Sequence, residues 1–123
     1  MRLLDSNVII DAARAGAAGL RELVATDEPF VSAVNCVEVL GYHRLTEEDR
    51  RDLGVFFAAV GVLAITTSIV QEAIRLRQIR KMSLGDSFVA GTALVHQLPL
   101  LTRNTKDFDW IAGLTVIDPF API

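Results

Sequence analysis

The chain has 123 residues, 51% of them hydrophobic, with 12 Lys and Arg against 15 Asp and Glu, a net charge of −3 and a mean hydropathy of +0.39. That length suits one domain spanning residues 1–123, while the acidic balance, with a pI near 5.3, excludes nucleic-acid binding by bulk positive charge. The single cysteine, Cys36, excludes an internal disulfide, and with only two histidines a thiolate or imidazole zinc site is not expected, so any metal would be a hard ion held by oxygen.

Arg2 to Asp5 reads as a short strand leading into Ser6-Asn7, whose side chains are suited to cap a helix beginning near Val8. No cationic segment followed by a long apolar stretch and a cleavage site stands at the N-terminus, so no signal peptide and a cytoplasmic location are expected. Gly16 and Gly19 break the first helix, Leu20 to Ala25 forms a short second one, and Asp27-Glu28-Pro29 is a loop before strand two at Phe30-Val31. Ser32 caps a helix running to about Leu45, and Thr46-Glu47-Glu48-Asp49 is a capping-box pattern opening another that ends near Gly61. The uncharged stretch Leu53 to Gln71 approaches membrane-spanning length, but Gly54, Gly61 and Thr66-Thr67-Ser68 divide it into helix, turn and strand. Strand three is Val62 to Ile65.

Ser68 with Gln71 makes a further capping box, starting a helix to about Met82 with apolar Ile69, Val70, Ala73, Ile74 and Ile79. Gly85 to His96 is apolar almost all round, the pattern of a deeply buried helix. Pro99 to Thr102 and Thr115 to Ile117 supply strands four and five. Short strands alternating with helices predict an α/β fold with a mainly parallel five-stranded sheet between helical layers. Ligands of such sheets gather at the carboxyl ends of the strands, where Asp5 and Thr102 fall. The high apolar content also predicts surface that meets a partner or a second copy.

Four carboxylates stand out. Asp5 ends a strand, Glu38 interrupts Val34-Asn35-Cys36-Val37 and Val39-Leu40, Asp86 opens the most hydrophobic helix, and Asp107 follows Leu100-Leu101-Thr102. Each has a structural alternative. Asp5 is suited to a turn, while Asp86, three after Ser83, and Asp107, three after Asn104, have helix-capping spacing. Glu38 is harder to explain that way, with no Lys or Arg three or four positions away to pair with it. Carboxylates that converge repel one another, and a divalent cation relieves the repulsion. An ion so held leaves coordination positions for water and a substrate phosphate, a chemistry that needs no Ser, Cys or His nucleophile. Among basic residues, Arg75, Arg77, Arg80 and Lys81 cluster before Asp86, and Arg103 and Lys106 flank Asn104. All six are candidates for phosphate contacts, or for a solvated face.

Four segments carry a resemblance: Leu3-Leu4-Asp5-Ser6-Asn7-Val8-Ile9-Ile10, Ser32 through Glu38-Val39-Leu40, Asp86-Ser87-Phe88-Val89-Ala90-Gly91-Thr92-Ala93-Leu94, and Leu101-Thr102-Arg103-Asn104-Thr105-Lys106-Asp107-Phe108. In this order and spacing the chain resembles the PIN-domain ribonucleases, particularly the VapC and FitB toxins of prokaryotic toxin–antitoxin pairs. The resemblance implies a PIN-like three-layer α/β/α fold and an Mg²⁺- or Mn²⁺-dependent endoribonuclease. It also implies a homodimer acting on RNA, restrained by a cognate antitoxin whose C-terminal segment blocks the acidic pocket. Asp5, Glu38 and Asp86 match the family's three most constant acids. The fourth position is open between Asn104, where some members have an aspartate, and Asp107. Ser6 and Thr102 match polar pocket positions. The resemblance gives Asp5 and Asp86 the principal metal, Glu38 the metal or the attacking water, and Asp107 with Asn104 a second site.

Two other classes compete. Asp5-Ser6-Asn7 at a strand end also resembles haloacid dehalogenase-type phosphatases, whose second aspartate two positions on is here Asn7, which weighs against that reading. Alternatively the chain is a catalytically idle binding module whose acids serve as caps.

Overall fold

A computed structural model of the chain describes residues 1–119. Strands β1 (Arg2–Leu4), β2 (Pro29–Ser32), β3 (Gly61–Leu63), β4 (Leu100–Leu101) and β5 (Val116–Ile117) form one sheet in the order β3-β2-β1-β4-β5. Every pairing is parallel. The helices are α1 (Ser6–Arg14), α2 (Gly16–Val24), α3 (Ala33–Leu40), α4 (Glu47–Ala59), α5 (Thr67–Ile79) and α6 (Leu84–His96). No helix among the described residues is long and apolar enough to cross a membrane.

Because successive strand residues face opposite sides, β1 and β4 each divide their leucines between two cores. Leu4 and Leu101 join Val8, Ile9, Leu20, Val39, Leu53 and Phe56 beneath α1 to α4. Leu3 and Leu100 join Leu76, Val89, Ala90, Ala93 and Phe108 beneath α5 and α6. Both faces of the sheet are therefore covered, which is where the high apolar content goes. Each Leu or Phe so buried contributes about 1.5–3 kcal/mol. The chain order reverses about β1: β2 and β3 lie on one side, β4 and β5 on the other. A crevice at the carboxyl ends of β1 and β4 is the geometric consequence.

The elements follow the sequence expectation, with corrections at their ends. Helix α1 begins at Ser6, not near Val8, because the Asp5 side chain is the N-cap and accepts from Ser6 N. Gly19 lies inside α2 instead of breaking a helix. A Cβ there would stand 2.2 Å from the Ala12 carbonyl oxygen, so the glycine lets α2 approach α1. Helix α3 stops at Leu40, five residues early, with Gly41 N bonded to Val37 O at 2.9 Å. Helix α5 is capped by Thr66, whose hydroxyl accepts from Ile69 N, and not by Ser68. That register buries Ile69, Ala73 and Leu76, spaced four and three apart, and leaves Ile74 and Ile79 exposed.

Candidate active site

The site is built at three neighbouring strand ends. At the end of β1, Asp5 keeps its backbone in the sheet, donating N–H to Leu101 O at 2.9 Å, while its side chain turns to cap α1. One carboxylate oxygen accepts from Ser6 N (2.8 Å). The other accepts from Thr102 Oγ1 (2.8 Å) and Asn7 Nδ2 (3.3 Å). Thr102, fully buried beyond the end of β4, is itself held by Asn7 Nδ2 at 3.2 Å and by Asn104 N at 3.1 Å.

From the end of β2 runs a second chain of hydrogen bonds. Ser32 N donates to Asn35 Oδ1 (2.8 Å), Asn35 Nδ2 to Ser6 Oγ (2.9 Å), and Ser6 Oγ to Glu38 Oε1 (2.9 Å). All three protons point toward the Glu38 carboxylate, so each bond polarises the next. Asn35 is fully buried. Here it caps α3 and orients Glu38, one turn further along, through Ser6. The third wall is the start of α6. Ser83 caps this helix, accepting from Asp86 N at 3.1 Å. A Cβ on Gly85 would stand 2.6 Å from Glu38 Oε2, so the glycine opens the space that the Glu38 carboxylate occupies against the first turn of α6.

Electrostatics tie the acids together. Burial pushes the Asp5 carboxyl above the ordinary carboxylate value, the bonds from Thr102 and Ser6 oppose this, and Glu38 and Asp107 raise it further. Asp86 is also raised, first by burial, then by Asp5 and Asp107, with Ser83 opposing. Asp107 ends the 3-10 turn Thr105–Asp107 and is solvent-exposed. Thus Asp5 lies within the field of Glu38 and Asp107, and Asp86 within that of Asp5 and Asp107. Among the described residues, however, no three acidic, His or Cys side chains are drawn close enough to form a closed ligand set. The oxygens gathered there belong to carboxylates and hydroxyls, donors that suit a hard cation keeping water in its shell.

The remaining expected residues divide. Asn104 lies at the rim, bonded through its backbone to Thr102, and lines a separate concavity with Asp11, Arg103 and Asp118. Arg103 is paired with Asp11 at 2.8 Å and Arg75 with Glu72 at 2.7 Å. Arg77 donates to Met82 O, and Arg80 stacks over Trp110 with its guanidinium carbon 5.3 Å from the ring centroid. Lys81 and Lys106 are exposed. Residues 75–81 therefore dock the end of α5 as much as they present charge. Sequence offers Asn7 only as a helix cap and gives Asn35 and Gly85 no part in the site. Asn35 stands three after Ser32, a capping-box spacing that was the available signal.

The PIN domain model matches residues 2–114. The chain belongs to the PIN-domain family. This PIN domain is 26% identical over 126 residues to Ribonuclease VapC1 of Rickettsia felis, covering 94% of this chain and 93% of that protein. It is similar to the structure of a toxin–antitoxin complex from Klebsiella pneumoniae, with TM-score 0.77, 29% identity and 98% of each chain covered. It shares its fold with FitAcB from Neisseria gonorrhoeae at TM-score 0.76 and 22% identity, covering 98% of this chain and 99% of that one. Family membership removes the phosphatase alternative.

Proposed function

We propose that this PIN domain is a divalent-metal-dependent endoribonuclease and the toxin of a type II toxin–antitoxin pair. The observation that carries the reading is that Asp5 and Asp86, both raised first by burial, feel each other or the same neighbour: Glu38 and Asp107 act on Asp5, and Asp5 and Asp107 act on Asp86. Likeness to a curated ribonuclease and to a toxin–antitoxin complex supports both the reaction and the partner.

Mg²⁺ or Mn²⁺, when bound, supplies Lewis acidity, lowering the pKa of water at the site and offsetting charge on the phosphodiester. Asp5 and Asp86 would hold it, with Glu38, Asp107 and the Asn104 carbonyl as candidate further oxygen donors. Thr102 and Asn7 fix the rotamer of Asp5, so its lone pairs are aimed before any ion or substrate arrives. Glu38 orients the attacking water and accepts its proton, while Ser6 and Asn35 hold the carboxylate in place. No residue of the chain is a covalent nucleophile in this scheme.

An antitoxin segment and a second copy are the protein partners of this proposal. A groove of about 360 Å³, lined by Ile10, Val39, Tyr42, Leu45 and Leu53, adjoins Glu38 and suits an apolar segment. Exposed Val37, Ile74 and Leu84 provide apolar surface for a dimer. The test is RNA cleavage by purified protein with and without Mn²⁺, beside Asp5→Asn and Asp86→Asn. Cutting only with metal, abolished in both variants at intact fold, is the expected result. Undiminished cutting in both variants would overturn the assignment, and a protein inert toward RNA would return it to the idle-module reading.

A further inference from the structure

Helix α1 presents Asn7 and Asp11 one turn apart, and both hold Arg103. Asn7 Oδ1 accepts from Arg103 N at 3.1 Å, and Asp11 Oδ2 stands 2.8 Å from Arg103 Nε. The second contact is ionic and not aligned as a hydrogen bond. The Asp11 side chain is only 14% exposed, and its other cation, Arg14, donates a long hydrogen bond to the other oxygen, Oδ1, at 3.4 Å. A sheltered carboxylate keeps its partner more firmly than a solvated one, because water and salt screen it less.

Arg103 opens the segment that leaves Thr102, the residue bonded to Asp5, and reaches Asp107, whose charge acts on Asp5 and Asp86. Asp107 is exposed, so where its carboxylate stands relative to the other acids depends on how that segment is fastened. At the far end Trp110 Nε1 donates to Asp107 O at 2.9 Å. The near end is fastened by Asn7 and Asp11.

Resting on the nuclease reading above, we propose that Asp11 is a positioning residue: through its ion pair with Arg103 it fixes the segment carrying Asp107 over the acidic site. Arg103 is thereby committed to Asp11 and does not grip RNA phosphate. Positioning and grip predict opposite kinetics. A positioning pair alters the geometry of the chemical step, so both partners share one phenotype in kcat. A phosphate grip would show in KM, and removing Asp11 would then strengthen binding by freeing the arginine.

The experiment measures kcat and KM for RNA cleavage with saturating Mn²⁺ in Asp11→Asn, Arg103→Gln and Arg103→Lys. RNA affinity is measured separately with each substitution placed in an Asp5→Asn background that does not turn over. Asp11→Asn and Arg103→Gln are expected each to lower kcat by roughly ten- to a hundredfold, the scale of a displaced group, with KM and RNA affinity unchanged. Arg103→Lys, which keeps the charge, should recover most of the loss. If Arg103→Gln raises KM and weakens RNA binding while Asp11→Asn tightens it, the grip is correct and the proposal fails. Wild-type kcat in both variants also overturns it. Should Asp11→Asn fail to fold, Arg103→Gln, at a half-exposed side chain, decides alone. Failure of the wild-type protein to cut RNA condemns the nuclease reading itself, and the positioning role falls with it, a result distinguishable before any variant is made.

Discussion

Gly85→Ala separates the Glu38 carboxylate from the stability of the fold. The added Cβ would stand 2.6 Å from Glu38 Oε2 and 3.4 Å from its Cδ, and no backbone atom lies among these close contacts. The atoms that must move are the end of a flexible, exposed side chain, so the clash is relieved by swinging Glu38 away. That rearrangement breaks the Ser6–Glu38 hydrogen bond, worth about 0.5–1.5 kcal/mol. Against it, replacing glycine by alanine within a helix gains about 1 kcal/mol or less. The two nearly cancel, and with about 4 °C per kcal/mol for a chain of this size the melting temperature should move by only a few degrees. Activity should behave differently, falling roughly as far as in Glu38→Gln, by about 10²-fold for loss of a general base. Paired thermal melts and RNA cleavage assays test this. The shorter Glu38→Asp placed on Gly85→Ala should recover part of the rate by withdrawing the carboxylate from the new methyl. Cleavage at the wild-type rate in Gly85→Ala would refute the claim that Glu38 acts from the position beside Gly85, and loss of folding would refute the claim that only Glu38 yields.

Metal and protons should compete at Asp5 and Asp86. Unfolded, these carboxyls titrate at the ordinary 3.8, and folded they hold their protons to higher pH. The stability they contribute to the metal-free protein is therefore present in acid and lost as pH rises through the raised folded values. Melting temperatures against pH should show that decline, and Asp86→Asn should flatten it; an equal slope in the variant would contradict the assignment. Mn²⁺ should raise the melting temperature most above this range and least below it, and a metal effect independent of pH would count against carboxylate binding. Gly19→Ala should destabilise by about 1–3 kcal/mol, because its Cβ would meet the Ala12 carbonyl of α1 and there is no flexible side chain to yield. Chemical denaturation measures this, and an unchanged midpoint would show that the two helices separate at no cost.

The sequence revealed the fold because its strands are short, apolar and regularly interrupted. Glu38 and Asp86 stood out because each is the lone acid of an apolar stretch, and Asp5 because it ends a strand. Helix starts were harder to read wherever several capping residues lie side by side. Asp5, Ser6 and Asn7 are all capable caps, as are Thr66, Thr67 and Ser68, and the choice was made by which register buried Val8 and Ile9, or Ile69, Ala73 and Leu76. The residues that orient the acids were hidden for a different reason. Asn7 meets Thr102 across 95 positions and Asn35 meets Ser6 across 29, so neither partnership leaves a local pattern. Arg103 beside Asn104 reads as a free cation until the fold brings Asp11 to it.

Asp5, Glu38, Asp86 and Asp107 are proposed to act together on one divalent ion. Anomalous diffraction from a crystal soaked in Mn²⁺ measures this directly. One strong peak is expected between the carboxylates of Asp5 and Asp86, within reach of Glu38 or Asp107. A peak elsewhere, or none at Mn²⁺ concentrations that support RNA cleavage, would contradict it.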